Sequence, residues 1–371
     1  MKVALVHEWL TVIGGSENVF KEIASLYPEA DIYTLVARDE TIMKLGLSGH
    51  KVTTSFIQKM PFSKTKYRSY LPLFPLAIEQ FDLSDYDLII SSSHAVAKGA
   101  LTNSNQVHIC YCHSPIRYAW DLHHQYLKET GLHKGLKGFI AKYLLHRIRQ
   151  WDIVSTNRVD HFVANSKYIS RRIKKIYGRE STVIYPNVAT EDFKPVFEKK
   201  DFYVTCSRFV PYKKIDLIVS AFAQMPDKTL YVIGEGPDFK KVSRLATPNT
   251  ILLGYQPFDV LKKYLGEAKA FIFAAEEDFG ILPVEAQACG TPVIAYKKGG
   301  AMESVIENET GIFFNEQSAG AIKSAVERFD VSSLCFNYND IVKHAAGFST
   351  ERFKKEILSY INNKINKDNF S

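Results

Sequence analysis

Cysteine is scarce, with five residues in 371, at positions 110, 112, 206, 289 and 335. The number is odd and most of them sit in apolar runs, which argues against a disulfide framework and for buried thiols in a reducing compartment. Cys110 and Cys112 alternate along one apolar run ahead of His113 and no second cysteine pair accompanies them, so the pattern does not make a zinc site. Also missing is any apolar run long enough to span a bilayer. The opening MKVALV reads as a short strand, because Glu8 arrives before the apolar region of a signal peptide could form. The expectation is a soluble or peripheral protein in the cytoplasm, reaching no further than the inner face of the plasma membrane. No GxGxxG follows that first strand, so a dinucleotide fingerprint is absent as well.

The chain is too long for one ordinary core, and its hydrophobic fraction of 46 % is that of a globular protein, which together suggest two domains. The net charge of +7 is uneven: twelve Lys and Arg against two Asp lie between Lys134 and Arg179. A basic stretch of this kind suits nucleic acid or an anionic membrane surface. It carries no RNP-like or helix-turn-helix pattern, which sets nucleic acid aside. Within it, residues 132–151 read as a helix. Leu136, Phe139, Ile140, Tyr143, Leu144 and Ile148 lie on one side, with Lys134, Lys137, Lys142, Arg147 and Arg149 around the rest. Such a helix lies on a membrane or covers a core with a solvated face.

Apolar runs at 2–6, 30–36, 51–56, 86–91 and 106–112 alternate with helical or loop segments, the pattern of a parallel α/β sheet. Residues 59–74, KMPFSKTKYRSYLPLF, show no period and read as a surface excursion. The segment 181–195, with two prolines flanking a polar turn, reads as a linker, after which a fresh strand starts at 202–207.

The chain is organised around residues 274–295, AAEEDFGILPVEAQACGTPVIA. An apolar strand at 269–275 ends in acidic residues and Gly280. Pro283 suits the first turn of a short helix, and Gly290 closes it before another strand at 291–296. Glu277 thus falls at a strand's carboxyl end and Glu285 at a helix start, with the amides of Phe279, Gly280, Ile281 and Leu282 between them. Carboxylates accept from hydroxyls while helix-start amides favour oxygen anions, so the stretch suits a polyhydroxylated, negatively charged ligand. Further on in the same half, strand 202–207 runs into Arg208 and, five residues later, Lys213 at a helix start. A planar fork and a compact charge so placed can grip one diphosphate from two sides.

In the first half, His7 to Gly15 read as the loop after the first strand, its Gly14-Gly15 pair admits a ligand close to the backbone, and Ser16 reads as the cap of the next helix. His113 follows the strand at 106–112, with Pro115, Arg117 and Trp120 close behind. Asp85-Tyr86-Asp87 is formally a DxD motif, yet Asp87 directly precedes the apolar 88–90, at the amino end of its strand, where open α/β sheets do not bind ligands. No metal site is assigned.

Glu277-x7-Glu285 around FGI and followed by ACGTPV resembles the signature of the family 4 retaining glycosyltransferases, and nearly the whole chain is similar to that family. The resemblance implies a GT-B fold. This consists of two Rossmann-like parallel-sheet domains facing a cleft: an acceptor-binding domain at 1–187, a nucleotide-sugar domain at 188–345, and a terminal helix at 346–371 crossing back to the first. It implies that Glu277 contacts donor-sugar hydroxyls, Glu285 the ribose, the 279–282 amides the sugar or phosphates, and Arg208 and Lys213 the diphosphate. Where the family often has Lys-Gly, this sequence has Lys213-Lys214, so Lys214 could share the role. Gly14 and Gly15 would lie over the diphosphate, Gly234 of the GEGP loop beside the nucleotide, Tyr255 in the base-binding backbone, and His113 near the reacting carbon. The string HSPxRYAWD is similar to a bacterial branch that includes O-antigen mannosyltransferases, which implies mannose from GDP-mannose as donor and a lipid-linked or oligosaccharide acceptor. The nucleotide sugar would be a substrate. No separate cofactor and no metal are implied.

Overall fold

The protein is described from a computed structural model covering residues 1–331 and 336–368. Cys335 lies outside the described residues; the other four cysteines are buried free thiols. The chain forms two compact units, Met1–Tyr185 joined by the residues from Phe353 onward, and Pro186–Arg352.

The first unit is a seven-stranded parallel sheet of β1 (Val3–Leu10), β2 (Asp31–Ala37), β3 (Val52–Thr54), β4 (Leu88–Ser93), β5 (Val107–Cys112), β6 (His161–Ala164) and β7 (Ser181–Val183). Their spatial order is β3-β2-β1-β4-β5-β6-β7. Both faces are covered, as in parallel sheets generally. Val3 and Leu5 of β1 point into one apolar cluster with Phe20 and Ile23, while Ala4 and Val6 point into another with Trp9, Tyr67 and Phe74. The terminal helix Thr350–Asp368 completes the first cluster with Phe353, Ile357 and Ile361, spaced four apart on one face and all buried. Each such side chain contributes about 1.5–3 kcal/mol. The hydroxyl of Ser349 accepts from the Arg352 amide at the helix start, at 3.4 Å.

The second unit carries β8 (Lys200–Cys206), β9 (Leu230–Ile233), β10 (Thr250–Gly254), β11 (Ala268–Phe273), β12 (Val293–Tyr296) and β13 (Gly311–Phe314), in the order β10-β9-β8-β11-β12-β13, again all parallel. In each sheet the order reverses beside the first strand, between β1 and β4 and between β8 and β11. Doubly wound sheets bind ligands outside the carboxyl ends at such points.

Four expectations are corrected. β1 continues to Leu10, so His7 and Glu8 are strand residues and not loop. Ser181–Val183 pairs with β6 and belongs to the first sheet, which shortens the linker. The helix after Gly14 starts at Gly15, placing Ser16 inside it. Residues 59–74 form short helical turns broken by prolines, too brief to show a period, and Tyr67 and Phe74 are core residues beside Trp9. The DxD pair does lie at the amino end of β4, where the Asp87 carboxylate accepts from the Lys2 amide at 2.6 Å.

Candidate active site

In the second unit, charged side chains follow the two strands that flank the reversal point, β8 and β11. β8 ends at Cys206, and Arg208 follows on the loop, exposed, its guanidinium making no hydrogen bond or ion pair among the described residues. A short turn, Pro211–Lys213, then leads through Lys214 into the helix Ile215–Phe222. Lys214 has φ +58°, the left-handed conformation that glycine adopts without strain and that other residues reach at a cost of about 1 kcal/mol. This explains the glycine that the resembling family often carries there. Lys213, the residue before Lys214, donates through Nζ to Glu277 Oε1. Glu277 lies on the loop after β11, so the two strands on either side of the reversal point each present one member of an ion pair. Burial pushes the pKa of the Cys206 thiol up, Glu285 and Glu277 add to the rise, and Lys213 opposes it.

Glycines hold this loop in place. A Cβ on Gly300 would sit 2.2 Å from the Phe279 Cα, and one on Gly299 would sit 2.5 Å from the Glu277 carbonyl oxygen. The Gly300 amide donates to that carbonyl at 2.8 Å. Gly280, at φ +88°, turns the chain into the helix Ile281–Ala288. The amides of Ile281 and Leu282 are in its first turn, where no intrahelical acceptor exists. Glu285 is the fifth residue and thus in the second turn, one turn later than the sequence suggests. Gly234, at φ +128°, packs against the Arg208 loop: an added Cβ would lie 1.8 Å from the Ser207 carbonyl oxygen. Its amide donates to Gly254 at 2.8 Å, tying that loop to the Tyr255 turn. The Tyr255 ring is exposed and its amide reaches Glu235 Oε1 at 3.4 Å.

Burial pushes the Glu285 carboxyl up to about 7. Its folded pKa therefore lies above the ordinary carboxyl value of 4.5, and the folded state holds a proton that the unfolded chain releases. Stability should fall as the pH rises through the window from about 4.5 to 7. Glu285→Gln is expected to melt with wild type near pH 4.5 and increasingly above it towards pH 8. A melting-temperature difference that stays constant from pH 4.5 to 8 would contradict this.

In the first unit, the carboxyl ends of β1, β4 and β5 carry a buried polar cluster that sequence reading found only in part. His113 follows β5, its amide bonded to the Ser93 carbonyl at 2.8 Å and its Nε2 2.8 Å from the Ser92 hydroxyl. The turn after it is held by Arg172, which donates to the Ser114 hydroxyl at 3.0 Å and pairs with Asp121. Glu8, fully buried, accepts through Oε1 from the Ser93 hydroxyl and the amides of His94, Ala95 and Ala97, while His94 Nδ1 lies 3.2 Å from its Oε2. Burial pushes Glu8 up, but His94, His7 and the Ala95 amide outweigh it and hold the carboxyl well below its usual range. His94 responds in kind: burial lowers it, and the charges of Glu8 and Glu17 raise it. Gly14 caps the next helix, and a Cβ there would touch Glu17 Oε2 at 3.0 Å. The missed members are His7, Glu8, Glu17, Ser92 and His94. The available signal was a His-Glu pair interrupting an apolar run that resumes as Trp9-Leu10.

The comparisons agree with this architecture. The model described as Glycosyltransferase Family 4 matches residues 13–192, and that described as Glycosyl transferases group 1 matches 188–330. The chain is a GT-B protein of the group 1 and family 4 glycosyltransferases. A GDP-mannose-dependent monoacylated alpha-(1-6)-phosphatidylinositol monomannoside mannosyltransferase of Corynebacterium glutamicum is 33 % identical over 178 residues, 40 % of this chain and 47 % of the relative. A GDP-mannose-dependent alpha-(1-6)-phosphatidylinositol monomannoside mannosyltransferase of Mycolicibacterium smegmatis is 26 % identical over 201 residues, 46 % of this chain and 53 % of the relative. The chain spans about half the length of the curated relatives it matches. Among solved structures, Anabaena Alr3699/HepE in complex with UDP superposes with a TM-score of 0.69 at 19 % identity, covering 98 % of this chain and all of that one. Sucrose-phosphate synthase from Thermosynechococcus elongatus does so with a TM-score of 0.74 at 17 % identity, covering 99 % and 100 %. These likenesses establish the GT-B fold of this glycosyltransferase chain.

Proposed function

We propose that this glycosyltransferase is a retaining, metal-independent hexosyltransferase that moves mannose from GDP-mannose to a lipid-linked or oligosaccharide acceptor in bacterial surface polysaccharide synthesis, O-antigen included. The observation that carries the reading is the Lys213–Glu277 ion pair across the reversal point of the second sheet, with Arg208 on the loop that follows β8. The two cations, in this reading, act with the helix-start amides to supply the charge stabilisation that a departing diphosphate needs. In this reading Glu277 takes the sugar hydroxyls, Glu285 the ribose, and Phe279, Gly280, Ile281 and Leu282 line the phosphates. Gly234 and Tyr255 border the nucleotide, and Gly14, Gly15 and His113 are the first unit's contribution. The sugar C1–oxygen bond to the phosphate breaks and the bond to the acceptor oxygen forms on the same face. The acceptor's proton passes to the departing phosphate oxygen.

The mannose donor is supported by the two GDP-mannose-dependent relatives and by the HSPIRYAWD string. A UDP-sugar donor is the second reading, favoured by the HepE structures that hold UDP and UDP-glucose. A nucleotide-sugar epimerase of the same fold is the third. Product analysis with each nucleotide sugar, with and without acceptor, separates them. Transfer from GDP-mannose that requires acceptor is expected; a new nucleotide sugar formed without acceptor would replace the transferase with an epimerase.

A peripheral contact with an anionic membrane belongs to the same reading. Among the described residues no helix is long and apolar enough to cross a membrane. On the helix Gly135–Val154, Leu145, Ile148 and Asp152 face inward, while Leu136 is 76 % and Phe139 69 % exposed, with Ile140 and Tyr143 exposed beside them. Lys137 and Lys142 flank this apolar stripe, which suits headgroups and acyl-chain boundary together. The enzyme is expected to float with anionic vesicles at low salt. Leu136→Asp with Phe139→Asp should abolish flotation without lowering the melting temperature. Equal flotation of that variant would remove the contact.

A further inference from the structure

Ser92 is wholly buried on β4, between the ring of His7 on β1 and the ring of His113 just past β5. His7 Nδ1 on β1 lies 3.2 Å from the Ser92 carbonyl oxygen and 3.2 Å from its hydroxyl. A carbonyl only accepts, so Nδ1 must carry a proton and donate. The hydroxyl takes a share of that donation, and its own proton is left to point at His113 Nε2, 2.8 Å away. We propose that Ser92, itself oriented by His7 and Glu17, is a positioning residue that locks His113 in the tautomer protonated on Nδ1, so that His113 meets its substrate as a hydrogen-bond donor. The substrate part of this inference rests on the reading of His113 as a residue that touches the donor sugar.

The rest of the cluster fits the lock. His113 Nδ1 has no hydrogen-bond partner among the described residues, which leaves its N–H for a ligand oxygen. Burial, aided by the charges of His94 and His7, pulls the His113 pKa down to about 3, so the ring carries one proton and not two near neutrality. On the other side, His7 Nε2 lies 3.6 Å from Glu17 Oε1, and the His7 ring stacks on Phe20 at 4.8 Å, which fixes its plane. Burial pushes Glu17 up, yet the His7 ring holds the carboxyl down at about 2. Glu17 in turn accepts from the Ser16 hydroxyl at 3.0 Å, directly under the Gly14-Gly15 turn. A chain of fixed groups therefore runs from the glycine turn to the ring that follows β5. With Nε2 occupied by Ser92, the one ring atom left for chemistry is a donor. It suits a sugar hydroxyl or a departing oxygen, and it cannot serve as a base.

The test is the nitrogen chemical shifts of His113 in the full-length, histidine-labelled protein, assigned by comparison with His113→Asn. Wild type is expected to show a protonated Nδ1 and an unprotonated Nε2, and Ser92→Ala a redistribution towards Nε2–H. A wild-type ring protonated on Nε2, or a tautomer unmoved by Ser92→Ala, would overturn the lock. Should Ser92→Ala fail to fold, the wild-type spectrum still decides. In turnover, Ser92→Ala is expected to lower kcat about ten- to a hundredfold, the scale of a misaligned reacting group, with donor KM changed less than about threefold. Ser92→Thr, which keeps the hydroxyl, should recover most of it. Unchanged kcat in Ser92→Ala would remove the positioning role. The expected tautomer in a protein that transfers no sugar would support the lock while removing the transferase reading.

Discussion

Arg208→Ala is expected to lower turnover about a hundredfold or more while leaving the melting temperature within about 1 °C of wild type. The two halves of that expectation have separate physical causes. The guanidinium is exposed and makes no bond among the described residues, so its loss strands no buried partner; surface changes of this kind stay within about 0.5 kcal/mol. In catalysis the same side chain would stabilise charge that appears only as the diphosphate departs, and removing one such donor typically reduces kcat by about 10²–10³. Arg208→Lys should fall between, since it keeps the charge but loses the planar fork. Near-wild-type turnover in Arg208→Ala would take Arg208 out of the site.

The second large effect concerns the Lys213–Glu277 pair. Each single change, Lys213→Ala or Glu277→Gln, is expected to lower kcat about a hundredfold, and the double variant little further than either alone. Lys213 reaches Glu277 from the adjacent strand's loop, so either change releases the other side chain from its place. Residues that act as a unit are non-additive in this way. Either change also gives up a hydrogen bond between charged groups, worth about 2 kcal/mol, so a modest fall in melting temperature accompanies the loss. Fully additive losses in the double variant, about 10⁴-fold, would mean that the two groups work independently.

The second unit was read from sequence more completely than the first, for reasons that particular residues make plain. Arg208, Lys213 and Glu277 each follow a short apolar strand within a few residues, and strand ends in a parallel sheet gather on one side. The Lys213–Glu277 contact was therefore foreseeable from local pattern. Glu285 lies one turn deeper than expected, because Gly280 and not Pro283 sets the helix start. In the first unit the signals are non-local. His7 and Glu8 look like loop residues because nothing near them in sequence compensates a buried charge. Their partners Ser92, Ser93 and His94 arrive more than eighty residues later, on β4 and just past its end. The stripe Leu136, Phe139, Ile140 and Tyr143 is periodic in sequence, but only the structure turns it outward and Leu145 with Ile148 inward.

The most direct measurement is thermal protection of the full-length protein by GDP and by UDP, in the presence of a metal chelator. At about a hundred times its dissociation constant, a bound nucleotide adds about 2.7 kcal/mol, which should raise the melting temperature by roughly 5 °C or more. GDP is expected to give that rise without metal, and Arg208→Ala to lose most of it. No protection by either nucleotide, or protection that appears only on adding manganese, would contradict a diphosphate site built from Arg208, Lys213 and the helix-start amides.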